Sequence, residues 1–258
     1  MRTVSVTRYV TPLREGGSLP AIVEADDDGL YVLKFRGAGQ GTKALIAELV
    51  AGAIAETLGL PLPERVLAEL DTDLGRTEAD PEIQALIQAS GGVNLALDYL
   101  PGSANFDPLA DADAVDATLA SRLVWFDAFI SNVDRTPRNT NLLVWHGKLW
   151  LIDHGASLYF HHGWDGSLEK ADASFAHVRD HVLLPDASEL EAADAALAPK
   201  LTAAFFRETL ARVPDEWLAT EGAFAAPQVM RDAYVAYFLR RLKARSGFVQ
   251  EAVDARRP

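Results

Sequence analysis

The sequence predicts an α+β protein in two lobes. A strand-rich N-terminal lobe with one main helix is expected over residues 1–103, and a mostly helical C-terminal lobe over 104–258. Three observations lead there. Short apolar stretches broken by turn residues fill the first 35 positions, a single helical period runs on from Thr42, and from about residue 170 the chain is rich in Ala and Leu at helical spacing. With 258 residues, 49% of them hydrophobic, the chain can bury a full core. No period of about 20 to 50 residues suggests a repeat array.

Taken in order, "TVSVTRYV" and "AIVEADDDGLYVLKF" read as antiparallel strands, with "DDDG" as a hairpin turn because Asp and Gly tolerate left-handed backbone. In "TKALIAELVAGAIAETLGLPLPE", Leu45, Leu49, Ile54 and Leu58 recur near helical spacing, with Thr42 as N-cap and Gly59 as C-cap. "ERVLAELD" reads as a strand, and "GGVNLALDYLPGS" as another that ends at a Pro-Gly turn near the lobe boundary. "DPLADADAVDATLASRLVWFDAFISN" suits one long helix, its Asp-rich start lying at the positive end of the helix dipole. "NLLVWHGKLWLIDHG" reads as a hairpin, and stretches such as "LEAADAALAPKLTAAFFRETLARV" as helices.

Composition narrows the function. A formal net charge of −13 and a pI near 4.8 oppose approach to nucleic acid or to an anionic membrane surface. No stretch of about 18 apolar residues would insert in a bilayer, and no leader precedes the first strand, so a cytoplasmic protein is expected. The absence of cysteine excludes disulfides, thiolate nucleophiles and Cys-based zinc sites.

The remaining polar residues fit phosphoryl transfer, which needs a cation on the phosphates, oxygen ligands for magnesium and a carboxylate on the acceptor side. Asp134 and Asn139 have the Asp-x-x-x-x-Asn spacing in which the carboxylate orients a hydroxyl and the amide oxygen ligates metal. Any polar turn also favours Asp and Asn. Asp153 follows "KLWLI" at a strand end, where it can bind magnesium or simply cap the turn. Lys34 stands in an apolar strand and can meet a helix glutamate, Glu48 first and Glu56 second, or face solvent. Gly16 and Gly17 offer backbone amides for close approach to phosphate. Asp98, Tyr99 and Leu100 form an extended connector able to hydrogen-bond an adenine. Each signal alone also suits an ordinary turn or surface; their order along the chain is what a kinase requires.

"YVLKFRGAGQGTKALIAELVAGAIAETLGLPLPE", "FDAFISNVDRTPRNTNLLVW" and "LWLIDHG" resemble the HipA-like kinases, in particular their short bacterial form, which has a protein-kinase-like fold. The Asp-Arg start is also similar to phosphatidylinositol kinases, and the likeness covers roughly residues 12 to 160. It implies ATP and Mg2+ as cofactors, with Lys34 on the phosphates, Asp134 as catalytic carboxylate, Asn139 and Asp153 on the metal, and Asp98 to Leu100 as the hinge. It also implies a place for Ser18 in a phosphate loop open to autophosphorylation. Asn132 and Val133 replace the His-Arg that precedes the catalytic Asp in protein kinases, and His154 replaces the Phe of Asp-Phe-Gly.

The expected activity is transfer of a phosphoryl group from ATP to a hydroxyl of a protein Ser/Thr or of a small molecule. Three alternatives stand beside it: a pseudokinase or nucleotide-binding interaction module, a nucleotidyl transferase on the same fold, and a metal hydrolase built on Asp153 with His146, His154, His161 and His162. His177 and His181, four apart on an expected helix, form a further histidine pair.

Overall fold

The computed structural model describes residues 1–13, 19–218 and 224–257, with Thr77 described by its backbone alone. Two compact units emerge. The first comprises Met1–Leu49 and Pro63–Pro101, the second Val50–Leu62 and Gly102–Pro258.

Five strands build the first unit: β1 (Thr3–Pro12), β2 (Ala21–Ala25), β3 (Leu30–Lys34), β4 (Arg65–Leu70) and β5 (Gly92–Asp98). They close into a barrel in the order β1-β2-β3-β5-β4. Where the sequence suggested only antiparallel strands, the closing seam is parallel, with Thr3–Ser5 beside Leu67–Glu69. The period of two makes this possible. Val4, Val6, Val23, Leu33, Val66 and Ala68 all turn inward, so both sides of the seam bring apolar residues to one core. The Ala25–Gly29 hairpin turns where expected, with Asp28 in left-handed backbone at φ 61.

Helix α1 (Thr42–Leu58) starts at Thr42 itself, and its Val50–Leu58 part belongs to the second unit. It stops at Gly59, whose φ of 74 lets the Leu60 amide donate back to the Ala55 carbonyl. A further helix, α2 (Pro81–Ala89), escaped the sequence reading. Pro81 opens it, the Asp80 carboxylate caps the Glu82 amide, and Ile83 and Ile87, one turn apart, are buried.

Among its described residues the second unit holds a sheet of β6 (Ala104–Asn105), β7 (Leu142–Trp145) and β8 (Lys148–Leu151), and, besides the end of α1, six α-helices: α3 (Ala117–Ile130), α4 (Leu190–Leu197), α5 (Ala203–Ala211), α6 (Asp215–Leu218), α7 (Pro227–Lys243) and α8 (Ser246–Ala255). The helix expected from Asp107 begins only at Ala117. Its Asp-rich lead is a turn held by its own carboxylates, with Asp111 accepting from the Asp107 amide, and Asp116 is the true cap on Leu119. Helix α3 is the axis of the unit. Trp125 stacks on Phe129 at 5.4 Å, and Phe129 meets Phe206, Phe238 and Phe248. At its C-terminal end the buried Arg241 donates to the carbonyls of Ala128 and Phe129, which the helix itself leaves without partners.

Candidate active site

Two groups of polar residues fall where the sequence expected chemistry, one in each unit. In the first, the alternation of β3 turns Tyr31 and Leu33 into the barrel and Lys34 to the other face. The Lys34 ammonium lies 2.9 Å from Glu48 Oε2, and the Glu48 side chain is fully buried. A buried carboxylate is tolerable only when paired and hydrogen-bonded, and Lys34 meets that need. Glu56 is exposed.

At the end of β5 the amides of Asp98 and Tyr99 donate to Glu64 and Leu30 carbonyls at 2.8 and 2.9 Å. Leu100, which is buried, is the one amide of the three not spent on the barrel among the described residues. Burial, and then the neighbouring Glu64 carboxylate, raise the Asp98 carboxyl above its ordinary value. Gly16, Gly17 and Ser18 lie outside the described residues.

In the second unit, α3 ends at Ser131 in left-handed backbone. The loop that follows doubles back at a tight turn in which Thr136 and Asn139 exchange backbone hydrogen bonds of 3.0 and 3.1 Å. The Asp134 amide is held by Asn132 Oδ1 at 3.1 Å. Its carboxylate Oδ2 accepts from Asn139 Nδ2 at 2.8 Å and from Asn141 Nδ2 at 3.2 Å. Strand β7 then pairs with β8, and the ladder continues as Ile152 donates to the Asn141 carbonyl at 3.1 Å. Asp153 therefore leaves the sheet one residue beyond the rung facing Asn141, in left-handed backbone at φ 55.

Beneath this loop lies a cluster that sequence reasoning missed. Asp127 is wholly buried and receives Arg135 Nε at 2.5 Å, Asn132 Nδ2 at 2.8 Å and His181 Nε2 at 2.9 Å. Burial pushes its carboxyl up, but the Arg135 charge and the hydrogen bonds from His181 and Arg135 outweigh this and hold it well below the usual carboxylate range. The Leu183 amide donates to His181 Nδ1, so Nε2 is the nitrogen that carries the proton toward Asp127. Arg135 also donates to the Asn141 carbonyl, and its own carbonyl accepts from Val182. A signal was available in "LVWFDAFI", where an acid inside an otherwise apolar helix demands a buried cationic partner.

The histidines do not assemble a metal site: among the described residues no three His, Asp or Glu side chains are grouped to hold an ion. His161 Nδ1 lies 2.8 Å from the Tyr234 hydroxyl. His177 is exposed on a 3₁₀ turn, whereas His181 is buried on Asp127, so they form no helical pair.

The family model of the HipA-like kinases matches residues 6–249. The chain belongs to the HipA-like kinase family. Solved structures of similar fold are also kinases. The Helicobacter pylori proinflammatory kinase CtkA has a TM-score of 0.57 at 12% identity over 98% of each chain. The Golgi casein kinase with Mn/ADP bound has a TM-score of 0.54 at 11% identity, over 97% of this chain and 74% of that one. At such identities the likeness concerns the fold, which is protein-kinase-like with mixed strand and helix. No relative matches among curated protein sequences. Among the described residues of this HipA-like kinase, no helix is long and apolar enough to cross a membrane.

Proposed function

We propose that this HipA-like kinase transfers the γ-phosphoryl group of ATP to a hydroxyl of a protein Ser/Thr or of a small molecule, with magnesium as the metal. The observation that carries the reading is the 2.8 Å hydrogen bond from Asn139 Nδ2 to Asp134 Oδ2. It sets the two functional oxygens apart. Asn139 Oδ1 accepts no hydrogen bond among the described residues, and Asp134 Oδ1 remains open to an incoming hydroxyl.

Asn139 and Asp153 supply the amide and carboxylate oxygens a hard cation prefers, with phosphate oxygens and water as further ligands, so the donor set fits magnesium. When bound, the metal would neutralise charge on the phosphates. Lys34, fixed by Glu48, is the cation that the first unit offers to phosphate charge. Asp134 orients the acceptor hydroxyl and receives its proton as the oxygen bonds to the γ-phosphorus. The bond from that phosphorus to the β–γ bridging oxygen breaks, and ADP leaves. The Leu100 amide and the carbonyls beside it are the groups offered to the adenine.

The test is calorimetric titration of ATP, with and without magnesium, into the wild type and Asp153→Ala, followed by mass analysis of the protein after incubation with ATP. Metal-dependent binding lost in the variant, with a phosphoryl-sized mass gain, supports the reading. An adenylyl-sized gain would make the protein a nucleotidyl transferase. Binding with no transfer and no ADP formed would make it a nucleotide-binding module.

A further inference from the structure

We propose that Asn141 is the positioning residue of Asp134: its buried amide pins carboxylate oxygen Oδ2, so that Oδ1 is the oxygen presented to the acceptor hydroxyl. The inference rests on the phosphotransfer reading above and adds a residue to it. Two amides, Asn139 and Asn141, converge on Oδ2, and none reaches Oδ1 among the described residues. They are not equivalent. Asn139 is exposed at the turn, and its amide oxygen is assigned to the metal. Water competes for its hydrogen bond, which therefore orients the carboxylate weakly.

Asn141 is only 8% exposed and is fixed on every side. Its carbonyl accepts from Arg135, whose guanidinium is anchored on Asp127, and from the Ile152 amide. Its φ of 48 lies in the left-handed region, which Asn enters more readily than most residues. Its Nδ2 also reaches the Asp134 carbonyl at 3.3 Å, so one amide grips both the backbone and the side chain of Asp134. A carboxylate free to rotate about its last bond would swing its open oxygen out of line with the acceptor, and misplacement of a reacting group by about 1 Å can cost about a hundredfold in rate. The Asn141 amide blocks that rotation from a rigid base.

The experiment compares Asn141→Gly with the wild type for ADP formation from ATP and magnesium, and for ATP affinity by calorimetry. Glycine adopts the left-handed backbone without strain, so this change removes the side chain and its donor without straining the backbone. The expected result is a kcat lower by about ten- to a hundredfold, with KM for ATP and the ATP affinity unchanged within about twofold. Asn139→Ala, by contrast, should lose metal-dependent ATP affinity. Should the glycine variant fail to fold, Asn141→Ala removes the same donor with less freedom in the unfolded chain, and the same split between kcat and KM decides. A wild-type kcat in the variant, or a loss of ATP affinity in step with kcat, overturns the role of Asn141 while the kinase reading stands. A wild type that forms no ADP at all overturns the kinase reading, and the role of Asn141 with it.

Discussion

Replacing Asp127 by Asn probes the buried cluster beneath the Asp134 loop. The carboxylate accepts from Arg135, His181 and Asn132, and the Arg135 and Asp127 side chains are both wholly inaccessible to solvent. An amide in its place presents one NH2 to donors that need an acceptor and leaves the guanidinium buried without its counter-charge. Breaking a buried pair this way costs about 3–5 kcal/mol. With a urea slope of about 3 kcal/mol/M, the unfolding midpoint should fall by about 1 to 2 M. All five tryptophans lie between Trp125 and Trp217, in the second unit, so tryptophan fluorescence follows that unit's unfolding. The pH dependence should change as well. The folded Asp127 carboxyl is depressed, so its contribution is complete above the unfolded value of about 3.9 and is lost as pH falls toward the lower folded value. From about pH 4 downward the wild type should lose stability more steeply than Asp127→Asn, by up to about 1.4 kcal/mol per pH unit. Parallel stability curves over that range, or a midpoint lowered by less than about 0.3 M, would refute the account.

Glu48→Gln removes the charge that fixes Lys34 while keeping a hydrogen-bonding group, and should lower kcat/KM for ATP by about ten- to a hundredfold, the worth of a charge-assisted hydrogen bond of about 1.5–3 kcal/mol. Steady-state kinetics at wild-type level would contradict this. Asp134→Ala should abolish transfer yet leave ATP affinity within about threefold, since the group acts on the acceptor; calorimetry and phosphate incorporation measure the two separately. Arg241→Met should lower the urea midpoint of the second unit by an amount equal to about 2 kcal/mol or more, because the carbonyls of Ala128 and Phe129 lose a buried donor. An unchanged midpoint would show that water replaces it.

The legible parts of this fold were those with local causes. The Asp-rich turn before β3 and the glycine stop of α1 follow from backbone conformations that only certain residues adopt. The parallel seam between β1 and β4 has no local signal, since it joins segments some sixty positions apart whose inward alternation equally suits an antiparallel partner. Helix α2 was overlooked because nine residues with Ile83 and Ile87 as the buried pair give too short a period to stand out. The start of α3 was set too early because the aspartates after Phe106, which favour a helix N-terminus, bond instead to amides in their own turn.

The site divides along the same line. Lys34, Glu48, Asp134, Asn139 and Asp153 are proposed from residue type, spacing and order, because phosphoryl transfer asks for such groups. Asp127 left one local trace, an acid in the apolar "LVWFDAFI", but the roles of Asp127, His181 and Asn141 depend on contacts made only after folding. Yet the chain commits more buried polarity to those three than to the residues named first. Desolvating Asp127 and Arg135 is costly, and apolar side chains of equal size would commonly stabilise a helix core as well or better. What the charged pair provides and an apolar pair cannot is direction. Arg135 is tied at its guanidinium to Asp127 and Asn141, and at its carbonyl to Val182, so the residue next to Asp134 has its side chain and its carbonyl each held in one place. The buried cluster therefore supports the proposed role of Asp134, and Asp127→Asn and Asn141→Gly test that support from its two ends.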